Sequence, residues 1–185
     1  MTLSRIDTYP THEYNGYKLR AGKLQPFGAT LVPDGVNFSV FSSHATSCTL
    51  VLFNKNEDEP FIEIPFLDQF RVGNVYAMTV FDLPYEEIDY GFRFEGPWDP
   101  NNGHRFDSSK ILSDPYAKII SGRDIWGHTP DWDKPYPYRS RLVIDDFDWE
   151  DDRPLEIPIE DWEEIRPHLD TFVAQHQLKP HIQRT

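Results

Sequence analysis

The sequence contains many carboxylates but few arrangements of them that could do chemistry. Acid–base hydrolysis needs two carboxyl groups roughly 5–10 Å apart, one of them with a raised pKa. The acidic residues instead occur mainly in charge runs such as 57–59 and 145–146, which are typical of solvated surface. No Gly-rich phosphate loop is present, and the spacing indicates no Ser/His/Asp arrangement. The sequence therefore predicts no catalytic residue.

Metal binding is not indicated either. Residues 99–103 offer oxygen ligands but lack the spacing and the closing Glu of a calcium loop. Seven His residues are scattered without paired ligand spacing, and His104 is expected to make a structural hydrogen bond. The single cysteine, Cys48, lies in an apolar strand-like run and is predicted to be a structural thiol. We expect neither a metal nor any other cofactor.

The aromatic side chains are better candidates for a binding site. They make up 15% of the chain, and a flat ring beside polar groups suits a neutral ligand that has an apolar face and a polar rim. Trp98 follows a strand-like run and lies on a turn where its indole can be exposed. Tyr90, at the start of that run, and Trp126, on a later loop, are the other candidates.

Short strands are expected to position these residues. Residues 36–42 and 90–96 alternate between apolar and polar, and residues 48–53 are so apolar that both faces of that strand should be covered. Further strands are predicted at 61–65, 75–81, 117–121 and 141–145. With 16 Pro and ten Gly, this pattern predicts an all-β, immunoglobulin-like β-sandwich over residues 22–145, preceded by an irregular lead-in over 1–21.

The C-terminal stretch differs in character. After Pro158, apolar residues recur at helical spacing, which predicts an amphipathic helix within an acidic linker and tail over 146–185. Residues 145–185 hold 12 acidic and four basic side chains, and the whole chain has a net charge of −13. Such a charge disfavours nucleic acid and anionic membranes as partners. Without a signal-peptide or membrane-length apolar run, a cytoplasmic location is expected.

One stretch is specific enough to indicate a family. The run from Gly91 to Phe106, followed by Lys110 and Asp-Pro-Tyr-Ala-Lys at 114–118, resembles the N-terminal domain of bacterial glycogen debranching enzymes and isoamylases of the α-amylase superfamily. Residues 26–30, 35–42 and 73–76 fit the same pattern in the same order, and the resemblance covers about residues 16–156. It implies a two-sheet sandwich related to the glycogen-binding carbohydrate modules.

The resemblance also implies that catalysis lies elsewhere. In the family, three catalytic carboxylates lie on a (β/α)₈ barrel that follows the sandwich, and such a barrel needs about 250 residues. This 185-residue sequence leaves no room for one, so the chain is expected not to be an enzyme, whether it is a truncated relative or a short form with its own use. Asp99, Asp107 and Asp114 then belong to turns that brace the domain.

The resemblance leaves two interpretations of Trp98. In the glycogen-binding module of the AMP-activated kinase β-subunit, a similar strand-Gly-x-Trp ends in a glucan-stacking tryptophan that aligns with Trp98. The lysine of that module is matched by Gly91, and its other stacking tryptophan has no counterpart before Phe53. Trp98 is therefore either a glucan contact or a residue of a packing interface.

The predicted function is an accessory, non-catalytic module that binds the α-glucans glycogen and amylopectin. The alternative is a free-standing interaction protein. It would dock through its acidic C-terminal helix onto an enzyme of glycogen metabolism.

Overall fold

The computed structural model describes residues 9–55, 57, 59–122, 138–144, 148 and 150. The chain divides into two units, residues 1–144 and residues 145–185, and the strands belong to the first. In chain order the strands are β1 His12–Tyr14, β2 Tyr17–Ala21, β3 Gly28–Val32, β4 Gly35–Phe41, β5 Ser47–Asn54, β6 Pro60–Pro65, β7 Arg71–Val72, β8 Val75–Phe81, β9 Ile88–Glu95, β10 Trp98–Asp99, β11 His104–Arg105, β12 Ile119–Ser121 and β13 Arg139–Arg141.

The strands form two antiparallel sheets and a small hairpin. The first sheet has the order β1-β2-β8-β4-β3, with β7 paired to β8, and the second has the order β12-β13-β9-β5-β6. Strands β10 and β11 pair only with each other. The part of the chain that the structure describes contains no α-helix. The all-β class and the β-sandwich are confirmed, whereas the predicted tail helix lies outside the described residues.

The core lies between the two sheets because alternate residues of each point inward. Strand β4 contributes Val36, Phe38 and Val40, and β9 contributes Tyr90 and Phe92, all 3% exposed or less. The rings of Phe38 and Tyr90 join the sheets in an edge contact with centroids 5.2 Å apart. Burying such a side chain contributes about 1.5–3 kcal/mol. The alternation predicted for both strands is therefore what closes the sandwich.

The segment expected to be an irregular lead-in contains a β-hairpin, so that prediction is wrong for residues 12–21. Strands β1 and β2 pair through a turn in which Asn15 and Gly16 both have positive φ, 49° and 85°. An Asn-Gly pair favours this turn, since it tolerates positive φ at both positions. Strand β2 then joins β8, and Leu19 is 1% exposed in the core.

The outer face of the first sheet is crossed by residues 22–24, which bind it by hydrogen bonds. Asn37 accepts from the Lys23 N–H at 2.8 Å and donates to the Lys23 carbonyl at 3.0 Å. Ser39 donates to the Leu24 carbonyl at 2.8 Å. The backbones approach so closely that a Cβ on Gly22 would lie 2.3 Å from Asn37 Oδ1. The polar face of β4 is thereby buried rather than solvated.

The outer face of the second sheet has an apolar cover instead. Ile111 packs with Val51 and Phe53 in a separate small cluster, and a Cβ on Gly91 would lie 2.6 Å from Ile111 Cγ2. The next residue, Leu112, exchanges backbone hydrogen bonds of 2.8 and 2.7 Å with Phe92 of β9. The prediction that residues 48–53 are covered on both faces is confirmed.

Candidate functional site

Trp98 lies on a hairpin just beyond the end of β9. It pairs with Arg105 across β10 and β11, while Asp99 pairs with His104. Asn102 Nδ2 donates to Asp99 Oδ2 at 2.7 Å, which closes the loop of the hairpin on itself. The Trp98 side chain is 65% exposed, the largest exposed fraction among the large hydrophobic residues described. The expectation that its indole is exposed on a turn is confirmed.

Two contacts anchor this hairpin to the sandwich. Gly96 leaves room for the ring of Phe106, since a Cβ there would lie 2.6 Å from the ring atoms. Phe106 in turn packs against the main core. The imidazoles of His44 and His104 also contact each other, with centroids 4.4 Å apart. The hairpin is thus held through the residues around Trp98, and the indole itself stays accessible.

A shallow groove of about 390 Å³ lies beside the hairpin. Its apolar lining comes from Phe94, Phe106 and Leu112, and Leu112 is 53% exposed. The remaining lining residues are Gly103, Arg105, Asp107 and Lys110. Because Arg105 is also the cross-strand neighbour of Trp98, the groove and the indole form one continuous candidate site. Sequence reasoning missed this groove, although the exposed Leu112 lies within the stretch that carries the family resemblance.

Two carboxylates of this region, Asp99 and Asp107, brace turns. Asp99 has its pKa lowered chiefly by the hydrogen bond from Asn102. Asp107 Oδ1 accepts from the Ser109 N–H at 2.9 Å and from its hydroxyl at 2.6 Å, and these bonds lower the Asp107 pKa. A general acid needs a raised pKa. Asp99 and Asp107 therefore suit the turn-bracing role expected of them and not that of a proton donor.

Tyr90 belongs to the core, so its prediction as a glucan-binding residue is wrong. Its ring is 1% exposed, and its hydroxyl donates to Asp114 Oδ2 at 2.7 Å. Asp114, itself 2% exposed, also accepts from the Tyr116 N–H at 2.8 Å. Burial raises the pKa of both the tyrosine and the carboxyl group. The pair fixes the chain after the groove against β9, and no ligand can stack on Tyr90.

The position that aligns with the lysine of the kinase module has no space for a side chain. A Cβ on Gly91 would meet the Ile111 side chain at 2.6 Å and the Leu112 carbonyl at 3.1 Å. The apolar cover of the second sheet therefore excludes that lysine here. The third candidate, Trp126, lies outside the described residues. Of the two predicted contacts that the structure describes, Trp98 lies on the surface and Tyr90 in the core.

The thiol and the metal-binding side chains discussed from the sequence can also be located in the structure. Cys48 is buried, and burial raises its thiol pKa, as suits a structural thiol. Within the described residues, no three His, Cys, Asp or Glu side chains are grouped so that they could hold a metal ion. Nor does that part of the chain contain a helix long and apolar enough to cross a membrane.

Taken together, the fold and the site define a small all-β module with a surface aromatic site on a hairpin. Residues 26–117 match the family model described as carbohydrate-binding module 48 (isoamylase N-terminal domain). This part of the chain belongs to that family. The resemblance to the N-terminal domains of isoamylases and glycogen debranching enzymes is thereby confirmed.

Curated relatives agree with this assignment. Isoamylase 1, chloroplastic, of Arabidopsis thaliana is 35% identical over 164 residues, which cover 85% of this chain and 21% of the relative. A glycogen debranching enzyme of Escherichia fergusonii is 32% identical over 169 residues, which cover 86% of this chain and 25% of the relative. The chain thus spans about a fifth to a quarter of the length of these relatives.

Solved structures show a looser likeness. A pullulanase from Paenibacillus barengoltzii, in complex with maltohexaose and α-cyclodextrin, has a TM-score of 0.45 at 17% identity and covers 78% of this chain and 17% of its own. The pullulanase from Bacillus acidopullulyticus also has a TM-score of 0.45, at 18% identity, covering 64% of this chain and 12% of its own. The family assignment depends on residues 26–117 and on the curated relatives, not on these two structures.

Proposed function

We propose that this chain is an accessory, non-catalytic α-glucan module that contacts glycogen or amylopectin through Trp98. The observation that carries the proposal is the exposed indole, 65% accessible, beside a groove with an apolar lining. Residues 26–117 belong to a family described as a carbohydrate-binding module, which supports a carbohydrate as the ligand.

The physical basis is stacking. A glucosyl ring presents an apolar C–H face that packs on an indole, while its hydroxyls stay in water or meet polar side chains at the rim. Removing one such contact costs about 1.4 kcal/mol, which is about a tenfold change in affinity. Because the described residues offer a single exposed tryptophan, we expect each site to bind glucan weakly. Binding to a polysaccharide should then depend on the many equivalent glucosyl units that one polymer presents.

Three carboxylates near the site support the non-catalytic part of the proposal. Asp99 and Asp107 have lowered pKa values, which suits acceptors and not general acids. Asp114 has a raised pKa but is 2% exposed, and Tyr90 and Tyr116 already donate to it. None of the three combines exposure with a raised pKa, as hydrolysis of a glycosidic bond requires.

Native affinity electrophoresis in gels with and without glycogen or amylopectin tests the binding. We expect the wild-type protein to be retarded by the polysaccharide and Trp98→Ala to lose about tenfold in affinity. A matched control is Phe61→Ala, because Phe61 is also an exposed aromatic, at 38%, but lies on the edge strand β6. Equal retardation of wild type and Trp98→Ala would exclude Trp98 as the contact, and no retardation of either would overturn the proposal.

A second assay tests the absence of catalysis. The pure protein should release no reducing ends from pullulan or amylopectin. Release that disappears in Asp99→Asn or Asp107→Asn would show that the module is an enzyme. The alternative of docking through the C-terminal helix concerns residues outside the described part of the chain, and it stays a prediction, as does the cytoplasmic location.

A further inference from the structure

The groove beside Trp98 has a positive rim in a chain whose net charge is −13. Arg105 and Lys110 both line it, and neither forms an ion pair or a side-chain hydrogen bond with another described residue. Other basic side chains are ion-paired, for example Arg93 with Glu63 at 2.7 Å and Lys18 with Asp82 at 3.0 Å. Two cations that make no hydrogen bond or ion pair, in one groove of an acidic protein, favour a ligand that carries negative charge.

The one acid in the groove lining, Asp107, offsets only part of this positive charge: it attracts Lys110 electrostatically, but the two side chains form no hydrogen bond or ion pair. Asp107 directs Oδ1 toward its own turn, where the Ser109 backbone N–H and hydroxyl bind it. The lining therefore holds two positive charges and one negative charge that is already engaged. An anion entering the groove meets Arg105 and Lys110 without breaking a hydrogen bond or an ion pair of either side chain.

The apolar lining restricts the ligand further. Phe94, Phe106 and Leu112 offer nothing to a small hydrated anion, but they can pack against the hydrocarbon face of a sugar. Trp98 stands opposite Arg105 in the hairpin, so a ring stacked on the indole brings its substituents close to the guanidinium group. A ligand that contacts the apolar lining, the indole and the two cations must have an apolar sugar face and an anionic substituent on the same sugar unit.

We propose that the groove binds a phosphorylated α-glucan, with a glucosyl ring on Trp98 and its phosphate monoester between Arg105 and Lys110. The proposal rests on the glucan-binding function proposed above. A phosphate monoester carries a charge of about −1.5 to −2 at pH 7 and three acceptor oxygens, and a guanidinium group can meet two of them at once. The site then recognises phosphate on a polymer and not phosphate alone.

The test compares one amylopectin preparation before and after enzymatic removal of its phosphate. We expect wild-type protein to bind the phosphorylated polymer about fivefold more tightly at low salt, the effect of about one exposed charge pair. The double variant Arg105→Gln/Lys110→Gln should bind both polymers equally and as weakly as wild type binds the dephosphorylated one. Lys18→Gln/Lys55→Gln is the matched control, because it also removes two positive charges, both from residues outside the groove lining, and it should leave the difference intact.

The possible failures are distinguishable. If wild type binds both polymers equally, the phosphate inference is wrong and the glucan-binding function stands. If neither polymer is bound, both are wrong. Inorganic phosphate and glucose 6-phosphate serve as competitors to separate the sources of the anion. If inorganic phosphate displaces the polymer at the same concentration as glucose 6-phosphate, the groove is a simple anion site and the inference is wrong.

Discussion

The two sheets differ in how their outer faces are covered. On the first sheet, Asn37 and Ser39 bind the backbone of residues 22–24 by hydrogen bonds. On the second, Ile111 packs with Val51 and Phe53 and makes an apolar cover. Each close approach involves a glycine, Gly22 in the cover of the first sheet and Gly91 on β9 beneath the cover of the second, since a Cβ on either would overlap with neighbouring atoms.

This difference determines which cover can tolerate an added side-chain atom. Around Gly22 the atoms within 3 Å of a new Cβ include the backbone of Ala77 and Met78, which cannot move without breaking the sheet. Around Gly91 the nearest atom is a side-chain methyl group of Ile111. A hydrogen-bonded cover therefore sets the position of the backbone, whereas the apolar cover, next to the groove, is limited mainly by volume.

The largest effect is expected for Gly22→Ala, which should lower the free energy of unfolding by about 3 kcal/mol because the overlap is with backbone. Gly91→Ala should cost about 2 kcal/mol. Urea denaturation measures both. In a double variant with Ile111→Ala, the new Cβ occupies the vacated space, so the loss should be smaller than the sum of the single losses. Strict additivity of Gly91→Ala and Ile111→Ala would contradict the volume argument.

An intermediate effect is expected for Asn37→Ala, at about 2 kcal/mol, because this fully buried side chain loses its two hydrogen bonds with the Lys23 backbone and the one from the Thr79 hydroxyl. Ser39→Ala removes only one donor, to the Leu24 carbonyl, and should cost about 1 kcal/mol. The same urea titration compares them. If the two variants lose equal stability, the cover of the first sheet does not depend on the paired bonds of Asn37.

The smallest effect concerns the pH dependence of stability that arises from Asp114, the buried hydrogen-bond partner of Tyr90. Burial raises the pKa of Asp114, so the folded state favours the protonated carboxyl. The contribution of Asp114 to stability is thus present below its unfolded pKa, about 3.9, and is lost as the pH rises through the higher folded value. Asp114→Asn removes this titration, so the stability of the variant relative to wild type should increase from pH 4 to pH 7. Thermal unfolding across that range measures it, and a relative stability that decreases would contradict the assignment.

The sequence predicted those parts of the fold that depend on local pattern. The alternation in β4 and β9 placed Phe38 and Phe92 in the core correctly. The same alternation already pointed Tyr90 inward, so proposing it as a glucan contact conflicted with a pattern that was available. The Asn15-Gly16 turn was also readable from the sequence, because it is the residue pair that the β1–β2 hairpin requires.

The covers and the groove could not be predicted from local pattern. Ile111 covers Gly91 from twenty positions further along the chain, and Asn37 binds Lys23, which lies 14 positions earlier with strand β3 between them. Arg105 and Lys110 converge only because the hairpin folds back and Phe106 packs into the space left by Gly96. Such contacts depend on tertiary packing, whereas the exposure of Trp98 follows from its place directly after a strand.

The reactivity of Cys48 can be used to measure how often the core of the sandwich becomes exposed to solvent. Cys48 is the one cysteine of the chain, and it is 1% exposed in the main core. Because the thiolate is the reactive form and burial raises the pKa of this thiol, an alkylating reagent reacts only after the two sheets separate locally or globally. The rate of alkylation, divided by that of an unstructured thiol, therefore measures the equilibrium constant for exposing the core under native conditions.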